Sequence, residues 1–344
     1  MQQKRGFEAI DFLKGFSMLT IVIYHLLQHI ELSPLLEKLI AFGGTGVHTF
    51  MMLSGFGLYH SHLKNELHYG QFLNKRFSKI YTPYLVVVVL SVLIALVYPI
   101  YKYDPYYTPN WYAFFGHVFF YKMFDESIMG TYGYQFWFVS IIFQLYLLFV
   151  PLSALKKRLS DNIFILVGLT ITMIWIGIVL FAGKQDLRTW NSFFPQYLWE
   201  FMLGMVMAKW AASGKYFWNM PIKYLIPISL LGMALYAALA LKFGSIGKLT
   251  NDIPALFGYT AFALLLYRLQ INPLNRFILF AGDRSYSLFL THFLIQILVF
   301  YTAEIMQVSL KWLLLPIFML QLLVAYYFEK LTPYLHFFKS KESK

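Results

Sequence analysis

An all-α, polytopic transmembrane helical bundle of about ten spans, with both termini cytoplasmic, is the fold this 344-residue sequence predicts. Hydrophobic residues make up 59% of the chain and charged residues only 13%, more apolar surface than a soluble domain needs. Apolar runs of roughly 17–22 residues recur between polar breaks, each long enough to cross a bilayer. The basic residues also segregate. With a cytoplasmic N-terminus, 20 of the 28 lysines and arginines fall on the inner side and 8 on the outer. The positive-inside rule then places both termini inside and requires an even number of spans.

The spans are expected near 9–30, 38–60, 81–101, 135–154, 162–182, 194–211, 223–242, 252–267, 286–305 and 311–329. The first lacks the short apolar core and small-residue cleavage site of a signal peptide and is read as a retained span. The span at 252–267 is short and interrupted by Gly258. The apolar stretch Trp111–Met123 is too short to cross, so it lies on the surface or re-enters. No internal repeat is visible. Residues 1–335 form one transmembrane domain, and 336–344 a short basic cytoplasmic tail.

A net charge of +12 does not indicate nucleic acid, because the cations are spread through the inter-span loops. Cysteine is absent, which excludes disulfides, thiolate metal sites and a cysteine nucleophile. Aromatics at 20% suit membrane interfaces.

Several polar groups stand out against this apolar background. On the first span Asp11, Lys14, Met18, Ile21 or Val22, His25 and His29 recur at steps of three or four, on one helical face. Lys14 and His25 are eleven residues apart, a rise of roughly 16 Å. Ionisable groups in lipid are costly and face a protein interior or a wet cavity, so this face reads as the wall of a reaction or transport path. His25 suits a general base near neutral pH; the bland alternative is a packing histidine. Asp11, one turn from Lys14, makes a neutralised pair. His25 and His29 stand at metal-ligand spacing, but no third ligand is evident and no metal is expected.

The loop after the second span carries Lys75, Arg76 and Lys79 beside the inner face. Phosphate capture and contact with anionic lipid headgroups are both open readings. The second span holds Gly43, Gly44, Gly46, Ser54, Gly55 and Gly57; small residues admit a second backbone or a slender ligand. No lysine follows and no strand precedes this pattern, so no nucleotide-binding loop fits. Tyr106, Tyr107, Trp111, Tyr112 and Trp190 suit sugar stacking or an interfacial belt.

The ordered set Lys14-x10-His25, Gly46-Val47…Phe50…Leu53-Ser54-Gly55-Phe56, Arg76-x2-Lys79-Ile80 with Pro83-Tyr84, Phe136-Trp137-Phe138…Gln144…Tyr146…Pro151 and Ser285-Tyr286…His292 resembles the acyltransferase-3 family of integral membrane acyltransferases. It spans nearly the whole chain. The resemblance implies transfer of an acyl group from cytoplasmic acyl-CoA to a hydroxyl of a cell-surface polysaccharide or its lipid-linked precursor. Acetyl is the expected group and succinyl the alternative; acyl-CoA is a donor substrate, and no permanently bound cofactor is expected. A bacterial cytoplasmic membrane is the expected location, with lipids as the other partner.

In that scheme His25 is the base, with Lys14 and Asp11 beside the donor path. Arg76, Lys79 and Lys75 grip the donor phosphates, and Ser54 and Gly55 line the pantetheine path. Gln144, Trp137, His292 and Tyr286 contact the substrate or support the site. Two departures from the family pattern matter. Lys79 stands where the family has arginine and lacks its bidentate fork. Gln144 replaces a common glutamate and cannot act as an acid or base. Direct transfer is favoured, since no Gly-x-Ser-x-Gly elbow is present, with an acyl-histidine intermediate as the alternative. The rival function is a non-catalytic glycan or lipid transporter or flippase. A glycosyltransferase would lean on Asp125-Glu126 alone.

Overall fold

The computed structural model describes residues 2–334, with side chains from residue 7 onward, so the predicted tail at 336–344 lies outside the described residues. The described elements are helices and turns, with no strand among them. In chain order they are α1 (Gln2–Leu27), α2 (Pro34–Ala41), α3 (Gly46–Lys64), α4 (Tyr69–Val97), α5 (Trp111–Val118), α6 (Trp137–Arg158) and α7 (Asp161–Phe181). There follow α8 (Arg188–Asn191), α9 (Phe194–Ala212), α10 (Ile222–Thr250), α11 (Asp252–Arg268), α12 (Asn272–Asp283), α13 (Ser285–Ile305) and α14 (Leu310–Leu331).

Eight stretches among the described residues are long and apolar enough to cross a membrane: α1, α2–α3, α4, α6, α7, α10, α13 and α14. This is the all-α polytopic bundle expected. The expected spans at 194–211 and 252–267 are also helical, as α9 and α11, but fall outside those eight. α11 has only 17 residues, and α9 carries Gln196, Glu200 and Lys209. Most of α9 is buried in protein, and a helix shielded from lipid need not be uniformly apolar.

Three boundaries differ from those predicted. The second apolar stretch is broken by a 3₁₀ turn at Phe42–Thr45, where Gly43 and Gly44 weaken helical propensity. α4 begins at Tyr69 rather than 81, so the cationic segment is helical, not a loop. Lysine and arginine favour helix, and Pro83 is accommodated inside it, as prolines are in membrane helices. α10 runs on to Thr250 through a kink at Gly244, whose φ of 53° suits glycine.

The chain forms two compact units. One contains residues up to Ile21, Ala41–Glu66 and Leu148–Asp283; the other contains Val22–Ile40, Leu67–Leu147 and Arg284 onward. Close backbone approach organises the first. A Cβ on Gly55 would collide with the Phe201 carbonyl, and one on Gly204 with the Met52 carbonyl, so α3 and α9 cross with nothing between them. Gly15 and Gly282 serve the same purpose where α1 crosses α12. Such crossings gain dispersion energy, the main attraction between helices in lipid.

Larger side chains organise the second unit. Tyr84, Val87 and Val88 of α4 pack with Val139 and Phe143 of α6, Leu290 and Leu294 of α13, and Phe328 of α14. Two hydrogen bonds fix register: Tyr286 Oη donates to the Ile80 carbonyl at 2.7 Å, and Gln321 Nε2 to the His292 carbonyl at 3.0 Å. The connection from α4 to α6 belongs to this unit. Its short helix α5 is capped by Asn110, whose side chain accepts from the Tyr112 and Ala113 amides.

Candidate active site

In the second unit the last turn of α1 meets α13. His25 Nδ1 lies 3.1 Å from His292 Nε2, and the rings are nearly parallel, at 7° with centroids 5.3 Å apart. His292 is fully buried. Its Nδ1 faces the carbonyls of Leu288 and Phe289 at 3.1 and 2.9 Å.

Carbonyls only accept hydrogen bonds, so His292 Nδ1 carries the proton and its Nε2 presents a lone pair. His25 Nδ1–H then donates to that lone pair, which leaves the basic lone pair of neutral His25 on Nε2. This assignment follows from the hydrogen-bond network. The Phe293 ring packs against both imidazoles, its centroid 4.7 Å from that of His25 and 5.0 Å from that of His292. A half-buried imidazole fixed in one tautomer by a buried neighbour has the logic of a positioned general base. His29 packs separately, its ring 4.5 Å from that of Phe300.

The cationic residues lie on the first turns of α4 in the same unit. Lys75 and Lys79 are exposed and Arg76 is partly buried, its guanidinium 5.7 Å from the Phe72 ring. The Arg76 Nε has no hydrogen-bond partner. Tyr286 is engaged in the α13–α4 bond described above. Gln144 Nε2 lies 3.1 Å from the Met123 sulfur. Trp137 opens α6 and packs edge-on against Phe138.

Asp11, Lys14, Ser54 and Gly55 belong to the first unit. Lys14 Nζ and Asp11 Oδ1 form a 3.0 Å ion pair with both side chains about one-third exposed, the pair expected from their spacing. At Gly55 the missing side chain makes room for the α9 backbone. Gly57, by contrast, faces open space.

Within the loop of the second unit, Trp111, Tyr106 and Tyr112 are exposed, whereas Tyr107 is buried and unsuited to stacking. Trp190, in the first unit, stacks on Trp175. Asp125 is occupied by hydrogen bonds from Ser127 and Tyr112, which hold its carboxyl below the usual carboxylate range.

The family comparison gives the class of reaction, acyl transfer. A model of the acyltransferase-3 family, described as an acyltransferase domain, matches residues 7–330. The chain belongs to the acyltransferase-3 family. Comparison with curated proteins and with solved structures gave no match. As an acyltransferase-3 protein it is a membrane acyltransferase, with a helical domain that includes both compact units.

Three features escaped the sequence reading. Lys122 of the α5–α6 connection is fully buried, its Nζ lacks a hydrogen-bond partner and lies 5.7 Å from the Phe136 ring, and burial pushes its ammonium down to about 7. The first unit contains a cavity of about 380 Å³ lined by Phe7, Phe56, His60, Lys64, Tyr216 and Trp218. It also gathers His48, Glu200 and Asp252, each offering one atom within 4.8 Å of the others. The last two groups join distant parts of the chain and have no common motif.

Proposed function

We propose that this acyltransferase moves an acyl group, acetyl by expectation, from acyl-CoA to a hydroxyl of a cell-surface polysaccharide or its lipid-linked precursor, with His25 as general base. The observation that carries this reading is the bond from His25 to His292, which supports a neutral imidazole with its basic lone pair on Nε2. The acceptor hydroxyl gives its proton to Nε2 as its oxygen attacks the thioester carbonyl. Collapse of the tetrahedral species expels the CoA thiolate, which takes up that proton. General-base assistance of this kind contributes roughly 10²–10⁴-fold.

Arg76 supports the donor assignment. A guanidinium with an unbonded Nε suits a phosphate, and exposed Lys75 and Lys79 add charge on the same helix. Gln144 and Trp137 are assigned to acceptor contacts, and Tyr286 to support through its bond to α4. No step is assigned to Asp11, Lys14, Ser54 or Gly55.

The test is acetyl transfer from acetyl-CoA to isolated cell-surface glycan by purified protein. Transfer should be lost in His25→Ala and retained in His29→Ala. Wild-type rates for His25→Ala would refute the base assignment. Glycan movement into vesicles without acyl-CoA consumption would favour the transporter reading.

A further inference from the structure

We propose that the first unit holds a divalent transition-metal cation, Zn²⁺ or Mn²⁺, between α3, α9 and α11. The proposal is independent of acyl donor and acceptor. His48 lies on α3, Glu200 one and a half turns into α9, and Asp252 at the first position of α11. His48 Nδ1 stands 2.6 Å from Glu200 Oε1, and one ligand atom from each of the three residues fits within 4.8 Å.

The charge arrangement points to a missing cation. Glu200 is fully buried and Asp252 nearly so. Among the described residues neither carboxylate is paired with a lysine or arginine, and their polar neighbours are His48 and Gln196. Two carboxylates and one imidazole in an apolar interior carry uncompensated charge unless protons or a cation neutralise them.

Unused ligand atoms supply an independent observation. Glu200 Oε2 is buried without a hydrogen-bond partner. Gln196, one turn earlier on α9, donates its Nε2 to Asp252 Oδ2 at 2.6 Å and to the Leu249 carbonyl at 2.9 Å. Those bonds aim both donors away from Oε1, a buried acceptor that is itself unpartnered. A buried carboxylate oxygen left without a donor beside a second carboxylate and an imidazole is what a cation site requires.

The donor set selects the ion class. One imidazole nitrogen and two carboxylates suit Zn²⁺ or Mn²⁺, whereas Ca²⁺ and Mg²⁺ prefer oxygen ligands throughout. The ion would replace the proton shared by His48 and Glu200 and tie three helices together. Because α3 and α9 meet through the small contacts of Gly55 and Gly204, such a clamp would add a strong bond to a crossing held by dispersion.

The test uses full-length protein purified without a polyhistidine tag. Elemental analysis should find about one zinc or manganese per chain, and E200Q and D252N should each lower it at least tenfold. A chelator should lower the wild-type melting temperature, and added Zn²⁺ should restore it, with little response in either variant. His25→Ala, outside the cluster, should keep the metal. Metal-free wild-type protein that takes up neither Zn²⁺ nor Mn²⁺ and melts unchanged with chelator would overturn the proposal. So would undiminished metal in both variants.

Discussion

His25 Nδ1 and His292 Nε2 stand 3.1 Å apart although 267 residues separate them in the chain. The buried histidine acts on its partner through one lone pair, made available because its other nitrogen is committed to two helix carbonyls. In the proposed mechanism His292 is therefore a positioning residue.

Replacing His292 by leucine removes the acceptor for His25 Nδ1–H and frees the ring to take the other tautomer. We expect kcat to fall about 10²-fold, part of the general-base contribution, with the KM for acyl-CoA nearly unchanged. His292→Gln can place a carboxamide oxygen near the same point and should recover part of the loss. Wild-type activity in both variants would remove His292 from the machinery.

Arg76→Ala should act on donor binding instead. Loss of a charge-assisted contact to phosphate costs roughly 1.5–3 kcal/mol, so the KM for acyl-CoA should rise at least tenfold with kcat much less affected. Arg76→Lys should fall between, since an ammonium keeps the charge and loses the fork. Lys75→Ala should have the smaller effect of an exposed cation. Steady-state kinetics at two ionic strengths would check the ranking.

Two glycines should behave oppositely. Gly204→Val drives a side chain into the Met52 carbonyl and must separate α9 from α3. We expect a loss of about 1–3 kcal/mol or failure to accumulate. Gly57→Ala meets no atom within 4 Å and should match wild type in yield and melting temperature.

Lys122 makes stability depend on pH. Burial holds its ammonium at about 7, against about 10.4 for an exposed lysine. Between those values the unfolded chain binds a proton that the folded chain lacks, so stability rises with pH across the window. Below about 7 both states are protonated and the full cost of the buried charge applies. Lys122→Met should therefore raise the melting temperature at pH ~6, with a smaller gain at pH ~9. A gain independent of pH would show that the substitution acts through packing alone.

The apolar runs fixed the helical class and most helix centres, because lipid demands local continuity of apolar residues. The same reasoning missed the early start of α4, where the cations of Lys75, Arg76 and Lys79 looked like a loop and are helical. It also left open whether Gly55 admits a second backbone or a ligand, and the structure brings the α9 backbone against that glycine. A small residue leaves the same trace in sequence whether a backbone or a ligand fills the space.

By itself the sequence determined a polytopic helical chain, the placement of Asp11, Lys14 and His25 on one helix, and the ordered motifs that resemble its family. Each of these rests on composition or on spacing within one element. Tertiary structure alone decided that His292 lies against His25, that Tyr286 is tied to α4, and that His48, Glu200 and Asp252 converge. Those partners come from separate helices, and hydrogen bonds act over about 3 Å of space whatever the distance along the chain.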